Sequence, residues 1–321
     1  MQRDSHDSAA PPDLTVLIPT HNRGDLLEAC LIGLQRSNGV TLEVIVVDDA
    51  SSEDLSPIRS RHPEVGWIRS NENVGYAAAN NLGQRGARGR HVVYLNSDVE
   101  VEPDCLRMLL DELERRPAVG AILPLHIGPD GEPQPILSPE HTLGMAWLRD
   151  SALHLAFPRL PVFRRWTMSS LDLGAPAEVA TAQTSCMVVR GQALGAVGGM
   201  DPDLFLFYND VDLCRRLRSA GWTILYYPQA RVLHHGGATT QALGWREAQL
   251  WRDRYRFFGK HYGRAGCLGV RVACMTRAIA RTAAQLPRLR FRQIGDRWAV
   301  GMRLYGALGS LSNGPDPPPT P

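Results

Sequence analysis

The sequence predicts an α/β fold in which a mainly parallel sheet is flanked by helices. Apolar runs with the composition of buried strands occupy residues 14–18, 43–47 and 91–95. Segments with the apolar spacing of helices alternate with them, at residues 24–36, 76–88 and 103–115. Strands and helices that alternate in this way are typical of a parallel sheet that is covered on both faces.

Polar residues follow each of the predicted strands. The first strand ends in PTHNR at residues 19–23, the second in DDAS at 48–51 and the third in NSD at 96–98. Open α/β sheets bind ligands at the carboxyl ends of their strands, so these residues predict a binding site at one edge of the sheet. Ordinary turns explain any one of the three ends, but they do not explain all three together.

The alternation of strands and helices stops between residues 126 and 178, where prolines interrupt the pattern. A long insertion of this kind is usually either a functional lid or a disordered segment. Its large apolar side chains favour an ordered, or conditionally ordered, element beside the site; they include Trp147, Phe157, Phe163 and Trp166.

The most informative segment is DPDLFLFYNDVDLCRRLRSAG at residues 201–221, where an aromatic run precedes the acids of a short basic helix. Burial beside aromatic side chains raises the pKa of a carboxyl group, which makes Asp210 a candidate proton acceptor. The alternative is that Asn209 or Asp210 only caps the helix and that Gly221 ends it. This segment alone does not decide between the two.

Composition limits the classes of function. A chain of 321 residues with 44% hydrophobic content can form a full core, and a net charge of +2 is too small to indicate a nucleic-acid partner. The cysteines are scattered without CxxC or zinc spacing, so we expect buried thiols in a reducing compartment. They are Cys30, Cys105, Cys186, Cys214, Cys267 and Cys274.

The two ends of the chain differ in character. Residues 1–12 are polar without the apolar core of a signal peptide, and 312–321 are rich in proline, so we expect disorder in both. We expect no membrane span, because no run of 18 apolar residues occurs.

Residues 245–263 have the pattern of an amphipathic helix that carries Lys260, the only lysine. A second apolar stripe follows, with Arg277 and Arg281 opposite it, and consists of Leu268, Val272, Met275, Ile279 and Leu286. Such a helix can lie on an anionic membrane surface or pack on its own domain, and both alternatives remain open.

Six motifs occur in an order that resembles the family 2 inverting glycosyltransferases, and within them the rhamnosyltransferase-like branch. They are PTHNR, VDDAS, NVGYAAANN at 73–81, LNSD at 95–98, the block from Val197 to Trp222, and ARVLHHGG at 230–237. The resemblance covers residues 14–263 and implies a Rossmann-like GT-A fold. It divides the chain into a catalytic domain at 13–263, with an acceptor-side insertion at 126–178, and C-terminal amphipathic helices at 264–311.

The resemblance implies an enzyme that moves a sugar from a nucleoside diphosphate to a hydroxyl group. Asp210 is then the general base, and a base opposite the leaving group gives a single inverting displacement. Tyr208, Asn209 and Asp212 are expected on the acceptor side. The residues expected to bind the donor nucleotide are Pro19, Thr20, Asn22, Arg23, Asp48, Asp49, Asn73, Gly75, Asn80, Asn96 and Ser97.

A divalent cation, Mg²⁺ or Mn²⁺, is the implied cofactor because it offsets the charge of the diphosphate. Asp98 is the expected ligand, and His234 of the later motif is a second candidate. A structural histidine is the alternative for His234. Similarly, Asn73 and Gly75 are either donor contacts or only the turn that opens the helix at Tyr76.

The sequence departs from the family pattern at three positions. Asn96 replaces the first acid of the usual DxD motif and leaves Asp98 as its only carboxylate. Asn209 stands where Glu is common, and Thr184 stands where Gly is common, which narrows the acceptor side. The first departure puts strict metal dependence in doubt, whereas the expected base is retained.

The rhamnosyltransferase-like branch implies dTDP-rhamnose as the favoured donor, with a UDP-sugar as the alternative. The implied acceptor is a cell-surface glycan or a lipid-linked sugar, in cell-wall or polysaccharide biosynthesis. The implied location is cytoplasmic, or peripheral at the inner face of the cell membrane.

Two other functions remain open. A nucleotide-sugar nucleotidyltransferase should carry a glycine-rich loop and a lysine after the first strand, where this chain has PTHNRGD. A non-catalytic binding subunit is compatible with Asn96 and Asn209, although the retained acids argue against it.

Overall fold

The computed structural model describes residues 10–145, 160–161, 168, 171–236 and 243–283. The strands are β1 Leu14–Thr20, β2 Leu42–Asp48, β3 Gly66–Arg69, β4 His91–Leu95, β5 Val99–Val101, β6 Val119–Ile127, β7 Leu137–Ser138, β8 Ala177–Glu178, β9 Thr181–Ala182, β10 Cys186–Arg190 and β11 Thr223–His234. The helices are α1 Gly24–Gln35, α2 Ser56–Arg61, α3 Tyr76–Gln84, α4 Cys105–Arg115, α5 Gly191–Val197, α6 Asn209–Ser219 and α7 Leu243–Ala283.

The central sheet has the strand order β3-β2-β1-β4-β10-β6-β11-β5, and β8 pairs with β11. The longest ladders, β1 with β2 and β11 with β6, are parallel. Strand β10 runs antiparallel to both of its neighbours, β4 and β6. The expected mainly parallel α/β sheet is therefore confirmed, and the strands before the first two polar motifs, β1 and β2, end at the same edge.

Both faces of the sheet are covered, because successive residues of a buried strand point to opposite sides. In β1, Val16 and Ile18 face a core formed with α1 and α4, whereas Leu17 faces the core formed with α3 and α6. Among the described residues the six cysteines form no disulfide, and all but Cys267 are buried. The expected cysteine burial is thus largely confirmed.

Helix α7 packs on the start of α6 through a third apolar cluster. Its members are Leu204, Tyr208, Val211, Trp251, Phe257, Phe258, Val270, Ala273 and Cys274. Gly263 interrupts the helix with φ of 58° and ψ of −145°. The expected domain boundary at 263 therefore falls at a break in the helix, but the cluster continues across it.

The part of the C-terminal stripe that the structure describes faces away from this cluster. Leu268 is 64% exposed, and Val272 and Met275 are also exposed. In the described portion of the chain, no helix is long and apolar enough to cross a membrane.

Several expectations concern residues outside the described ranges. They include the four aromatic residues of the insertion, Trp147, Phe157, Phe163 and Trp166, as well as residues 1–9 and 312–321. Leu286 and the side chains of Ile279 and Arg281 also lie outside them.

Candidate active site

A cleft of about 420 Å³ opens at the carboxyl ends of the central strands. It brings together residues from all the polar motifs that the sequence singled out. The expected site residues that line it are Pro19, Thr20, Asp49, Asn73, Gly75, Asn96, Ser97, Asp98, Tyr208, Asn209, Asp210 and His234. Thr184 also lines it, so the position where Gly is common in the family does border the cleft.

Asp49 fixes one wall of the cleft. Its carboxylate accepts hydrogen bonds from the backbone N–H groups of Val74 at 2.8 Å and Gly75 at 2.9 Å. Burial raises the pKa of Asp49, although these two hydrogen bonds oppose that shift. The Nδ1 atom of His21 lies 2.7 Å from the Asp49 carbonyl oxygen and donates to it. Asp49 therefore joins the end of β2 to the loop that precedes α3.

Asp48 does not line this cleft, in contrast to the expectation for the acid pair. Its carboxylate accepts a hydrogen bond from the Ser51 N–H at 2.8 Å and forms an ion pair with Arg69. Successive residues of a strand point to opposite sides, which separates Asp48 from Asp49. Asp48 instead borders a neighbouring depression, with Trp67 and Arg69.

Three other expected nucleotide contacts also lie away from the cleft. The side-chain oxygen of Asn22 accepts hydrogen bonds from the backbone of Ser52 and Glu53, at 2.9 and 3.1 Å, and so braces the loop after β2. Arg23 pairs with Asp25. Asn80 is fully buried, and its amide donates to the Tyr76 carbonyl at 3.0 Å. Of these three side chains, Asn22 supports a loop beside the cleft, whereas Arg23 and Asn80 make contacts close to them in the sequence.

Gly75 is required for a reason that the sequence does not show. Its φ is 85°, and a Cβ atom at this position would lie 2.6 Å from both the ring and the carbonyl oxygen of Phe205. Phe205 therefore approaches Gly75 closely, at the wall of the cleft. The loop before α3, which the Asp49 carboxylate binds, is therefore in direct contact with the turn that precedes Asp210.

Asp98 and His234 meet at the edge where the metal was expected. The Nε2 atom of His234 lies 3.4 Å from Oδ1 of Asp98. Burial opposes ionisation of Asp98, but the interaction with His234 outweighs it and lowers the Asp98 pKa.

Gln134 orients His234. The Gln134 amide N–H donates to the His234 carbonyl at 2.8 Å, so its Oε1 faces Nδ1 of the ring at 2.6 Å. Nδ1 therefore carries a proton, and Nε2 faces Asp98. Second-sphere hydrogen bonds of this kind commonly orient a histidine that binds metal.

The donor set fits a weak cation site. Within the described ranges, no group of three or more His, Cys, Asp or Glu side chains is arranged to hold a metal ion. The side-chain oxygen of Asn96 is buried without a partner in the described structure, and this residue lines the same edge. Carboxylate and amide oxygens suit Mg²⁺ or Mn²⁺, and the remaining ligands would have to come from substrate or water.

Asp210 stands on the first turn of α6 and lines the same cleft as Asp49. Tyr208 precedes the helix in the left-handed conformation, with φ of 62°. The Asn209 amide donates to the Leu206 carbonyl at 2.9 Å, which a glutamate at this position could not do. Asp210 is half-buried, and burial raises its pKa to about 6. A carboxyl group with this pKa is ionised at neutral pH but basic enough to take a proton.

Asp212 does not belong to the acceptor side of the cleft. It is fully buried, and its carboxylate contacts Arg216 at 2.6 Å, His261 at 2.7 Å and Lys260 at 2.8 Å. Asp212 therefore joins α6 to α7. On a helix, residues two positions apart face different directions, which separates Asp212 from Asp210.

Sequence reasoning missed several residues that build the site. Trp245 and Arg246, from the first turns of α7, line the cleft. Gln134 lies in the proline-rich insertion, where no pattern singled it out. Asp253 stands between two arginines, so it looks like part of a solvated face, although it is fully buried.

Comparison with known proteins gives consistent findings. The sequence model of glycosyl transferase family 2 matches residues 15–167. A Mycobacterium tuberculosis N-acetylglucosaminyl-diphospho-decaprenol L-rhamnosyltransferase is 32% identical over 241 residues, which is 71% of this chain and 77% of that protein.

Two solved structures share the fold. S. aureus TarS, residues 1–349, has a TM-score of 0.54 and 13% identity, over 92% of this chain and 81% of that one. The mannosyltransferase PcManGT from Pyrobaculum calidifontis, solved with GDP-Man and Mn²⁺, has a TM-score of 0.54 and 18% identity, over 94% and 87%.

Proposed function

The chain belongs to the family 2 glycosyltransferases, and from this premise we propose that it transfers a sugar, with inversion, from a nucleoside diphosphate to an acceptor hydroxyl. One observation carries the proposal. A half-buried carboxylate, Asp210, with a pKa of about 6, faces the same cleft as the Asp98–His234 edge. The cleft therefore offers a proton acceptor for the acceptor hydroxyl and a cation-binding edge for the diphosphate of the donor.

The donor nucleotide lies along the first two strand ends. The cleft is lined there by Thr20, Asn73 and the Asp49 wall. Their hydroxyl, amide and carboxylate groups can form hydrogen bonds with the base and ribose. We propose dTDP-rhamnose as the donor, with a UDP-sugar as the competing candidate. The M. tuberculosis relative, an L-rhamnosyltransferase by name, supports this choice.

The cation edge would hold Mg²⁺ or Mn²⁺ through Asp98 and Nε2 of His234, with Asn96 beside them. A divalent cation bound there would stabilise the negative charge that the leaving diphosphate gains. The P. calidifontis mannosyltransferase, solved with GDP-Man and Mn²⁺, supports a divalent cation as the class of cofactor.

Asp210 receives the proton of the acceptor hydroxyl. As that O–H bond breaks, the acceptor oxygen bonds to the anomeric carbon, and the bond from this carbon to the diphosphate oxygen breaks. The nucleoside diphosphate then leaves with the electron pair. A single displacement inverts the anomeric configuration, and no covalent sugar–enzyme intermediate is needed.

We propose a lipid-linked sugar as the acceptor class, with a glycan as the alternative. The name of the M. tuberculosis relative, which includes a diphospho-decaprenol, supports this choice. The exposed side chains of Leu268, Val272 and Met275, together with exposed Arg264, form a surface that suits an anionic membrane. Peripheral binding there would bring the cleft near such an acceptor.

The test uses the purified full chain with Mn²⁺, a panel of dTDP- and UDP-sugars, and a polyprenyl-diphosphate-linked N-acetylglucosamine. Release of nucleoside diphosphate, product mass and NMR of the new linkage are measured. We expect dTDP-rhamnose to give the fastest transfer and a product of inverted configuration. Nucleotide binding without turnover for every pair would instead favour a non-catalytic binding subunit, and a retained configuration would exclude the single displacement.

A further inference from the structure

A buried carboxylate on α7 holds the turn that leads to Asp210. Asp253 is fully buried and accepts hydrogen bonds from three consecutive backbone N–H groups, those of Phe205 at 3.2 Å, Leu206 at 3.1 Å and Phe207 at 2.9 Å. The side-chain amide of Gln249, one helical turn earlier, donates to it at 2.8 Å. This carboxylate on α7 therefore binds a short turn that lies almost 50 residues earlier in the chain.

The turn at 205–207 forms a wall of the cleft. All three of its residues line the cleft, and it connects through Tyr208 to the first turn of α6, where Asp210 stands. On its other side, Phe205 packs against Gly75 of the donor wall. The turn thus lies between the residues proposed for the donor and the proposed base.

Only an ionised carboxylate satisfies this arrangement fully. Three backbone donors and one amide donor converge on its two oxygens, and a carboxylate is an acceptor with about four lone-pair sites. An amide at the same position would direct its own N–H₂ group at one or more of those donors. Burial of a charge is costly, and hydrogen bonds to the charged form offset that cost.

An ionic contact between α6 and α7 provides a contrast. Asp212 of α6 binds Lys260 and His261 of α7, so it joins the helices. The contacts that hold Asp212 are with α6 and α7, whereas Asp253 binds the 205–207 turn as well as Gln249 of its own helix. Asp212 therefore attaches α7 to α6, whereas Asp253 holds the 205–207 turn.

We propose that Asp253 is a positioning residue for the transfer reaction: it fixes the 205–207 turn and thereby the placement of Asp210 and of the acceptor side of the cleft. This rests on the proposed function in one respect, namely that Asp210 is the base. Helix α7 is then part of the active site, although its sequence has the pattern of a surface helix.

The central variant is Asp253→Asn, which keeps the shape of the side chain and removes its charge. Displacement of a catalytic group by about 1 Å can lower a rate by about 10²-fold. We expect kcat to fall at least about tenfold, with the donor KM and the affinity for the nucleoside diphosphate within about twofold of the wild type. Backbone amides of residues 205–207 should exchange with deuterium faster than in the wild type.

Val270→Ala is the matched control, because Val270 packs in the apolar cluster that joins α7 to the start of α6 and does not line the cleft. It should lower the melting temperature while leaving kcat and exchange at 205–207 near the wild-type values. If Asp253→Asn retained normal kcat, or if Val270→Ala lost as much kcat at an equal loss of stability, the positioning role would be wrong.

Two further measurements keep the outcomes distinct. Should Asp253→Asn fail to fold, Gln249→Ala removes the side-chain donor to Asp253 and should give a smaller loss of kcat with unchanged donor KM; unchanged kcat there would contradict the proposal. The exchange experiment needs no substrate. An inactive wild type with the expected exchange pattern would therefore refute the proposed function while leaving the Asp253 contact intact.

Discussion

Asp210 and Asp212 lie on one helix turn, but their environments shift their pKa values in opposite directions. Burial raises the pKa of Asp210 to about 6, against the opposing effect of backbone hydrogen bonds. Burial also acts on Asp212, but hydrogen bonds and charges from Lys260, Arg216 and His261 outweigh it and lower its pKa. Carboxylates whose environments move their pKa values apart commonly divide into reactive and structural groups.

Replacement of the base should separate activity from stability. We expect Asp210→Asn to lower kcat by about 10²-fold or more, the scale of general-base catalysis. Because folding raises the Asp210 pKa, the ionised group is destabilising, so the variant should be more stable by about 1–2 kcal/mol at about pH 7.5, after allowance for its partial exposure. Steady-state kinetics and chemical denaturation measure both effects. Near-normal turnover in this variant would rule out Asp210 as the base.

The pH profile follows from the same group. Asp210 must be ionised to accept a proton, and the proposed positioning role needs an ionised Asp253 as well, so kcat/KM should be constant above about pH 7 and fall by about tenfold to a hundredfold per pH unit below about 6. Folding raises the pKa of both Asp210 and Asp253 to about 6, so protonation of either favours the folded state. Between about pH 7 and 5, activity should therefore be lost reversibly, without a loss of stability from these two groups. An acid limb that coincides with unfolding would contradict this assignment.

The cation edge should act weakly, because Asp98 is its only carboxylate. We expect Mn²⁺ to tighten nucleoside diphosphate binding to the wild type by about tenfold or more relative to chelator, and Asp98→Ala to abolish this difference. Calorimetric titration measures it directly. Glu100→Gln is the control, since Glu100 pairs with His235 at 2.7 Å and does not line the cleft. A Mn²⁺ effect of about tenfold that persists in Asp98→Ala, or no Mn²⁺ effect on the wild type, would exclude the metal role of Asp98.

At the scale of elements, three segments distant in sequence meet at one contact. The loop before α3, the turn before α6 and the middle of α7 are joined through Gly75, Phe205 and Asp253. Asp253 satisfies backbone donors of the turn, and Phe205 of this turn packs against Gly75, so all three segments contribute to the cleft wall.

Gly75→Ala tests this contact. The new methyl group would lie 2.6 Å from Phe205 at a φ of 85°, so we expect a loss of about 1–3 kcal/mol together with a lower kcat. Gly221→Ala is the matched control, because Gly221 has a φ of 89° and, among the described residues, no atom lies within 4 Å of the place that a Cβ would take. Gly221→Ala therefore has the unfavourable positive φ of an alanine but no steric overlap with a neighbouring residue. Equal kcat in the two variants would show that the Phe205 contact is unimportant for catalysis.

At the scale of the whole molecule, the C-terminal helix has two different faces. Val270, Ala273 and Cys274 pack against the domain, whereas Leu268, Val272 and Met275 remain exposed. The two alternatives left open by the sequence are therefore compatible, since packing uses one face and leaves another available. Truncation after residue 263 would remove core side chains, so surface substitution is the sharper test of membrane binding.

We predict that the full chain floats with anionic vesicles at low salt and less so at high salt. Buried apolar side chains contribute about 1.5–3 kcal/mol each, and arginines near an anionic surface about 1 kcal/mol each. Replacing Leu268, Val272 and Met275 together with glutamine should reduce flotation by about tenfold or more. Ile32→Gln, at an exposed position on α1, should have no effect. Equal flotation of the triple variant and the wild type would refute this surface.

The sequence by itself determined the α/β class, the alternation of strands and helices, and the edge at which the polar motifs meet. These features follow from local periodicity and from the polar residues that end each strand, which do not depend on distant partners. Only the tertiary structure decided that Asp49 and Asp210 face the cleft whereas Asp48 and Asp212 bind Arg69 and Lys260. It also decided that Phe205 fills the space beside Gly75 and that Asp253 holds the neighbouring turn. The physical reason is that the partner of a buried charge is set by packing between elements far apart in the chain, which no local pattern encodes.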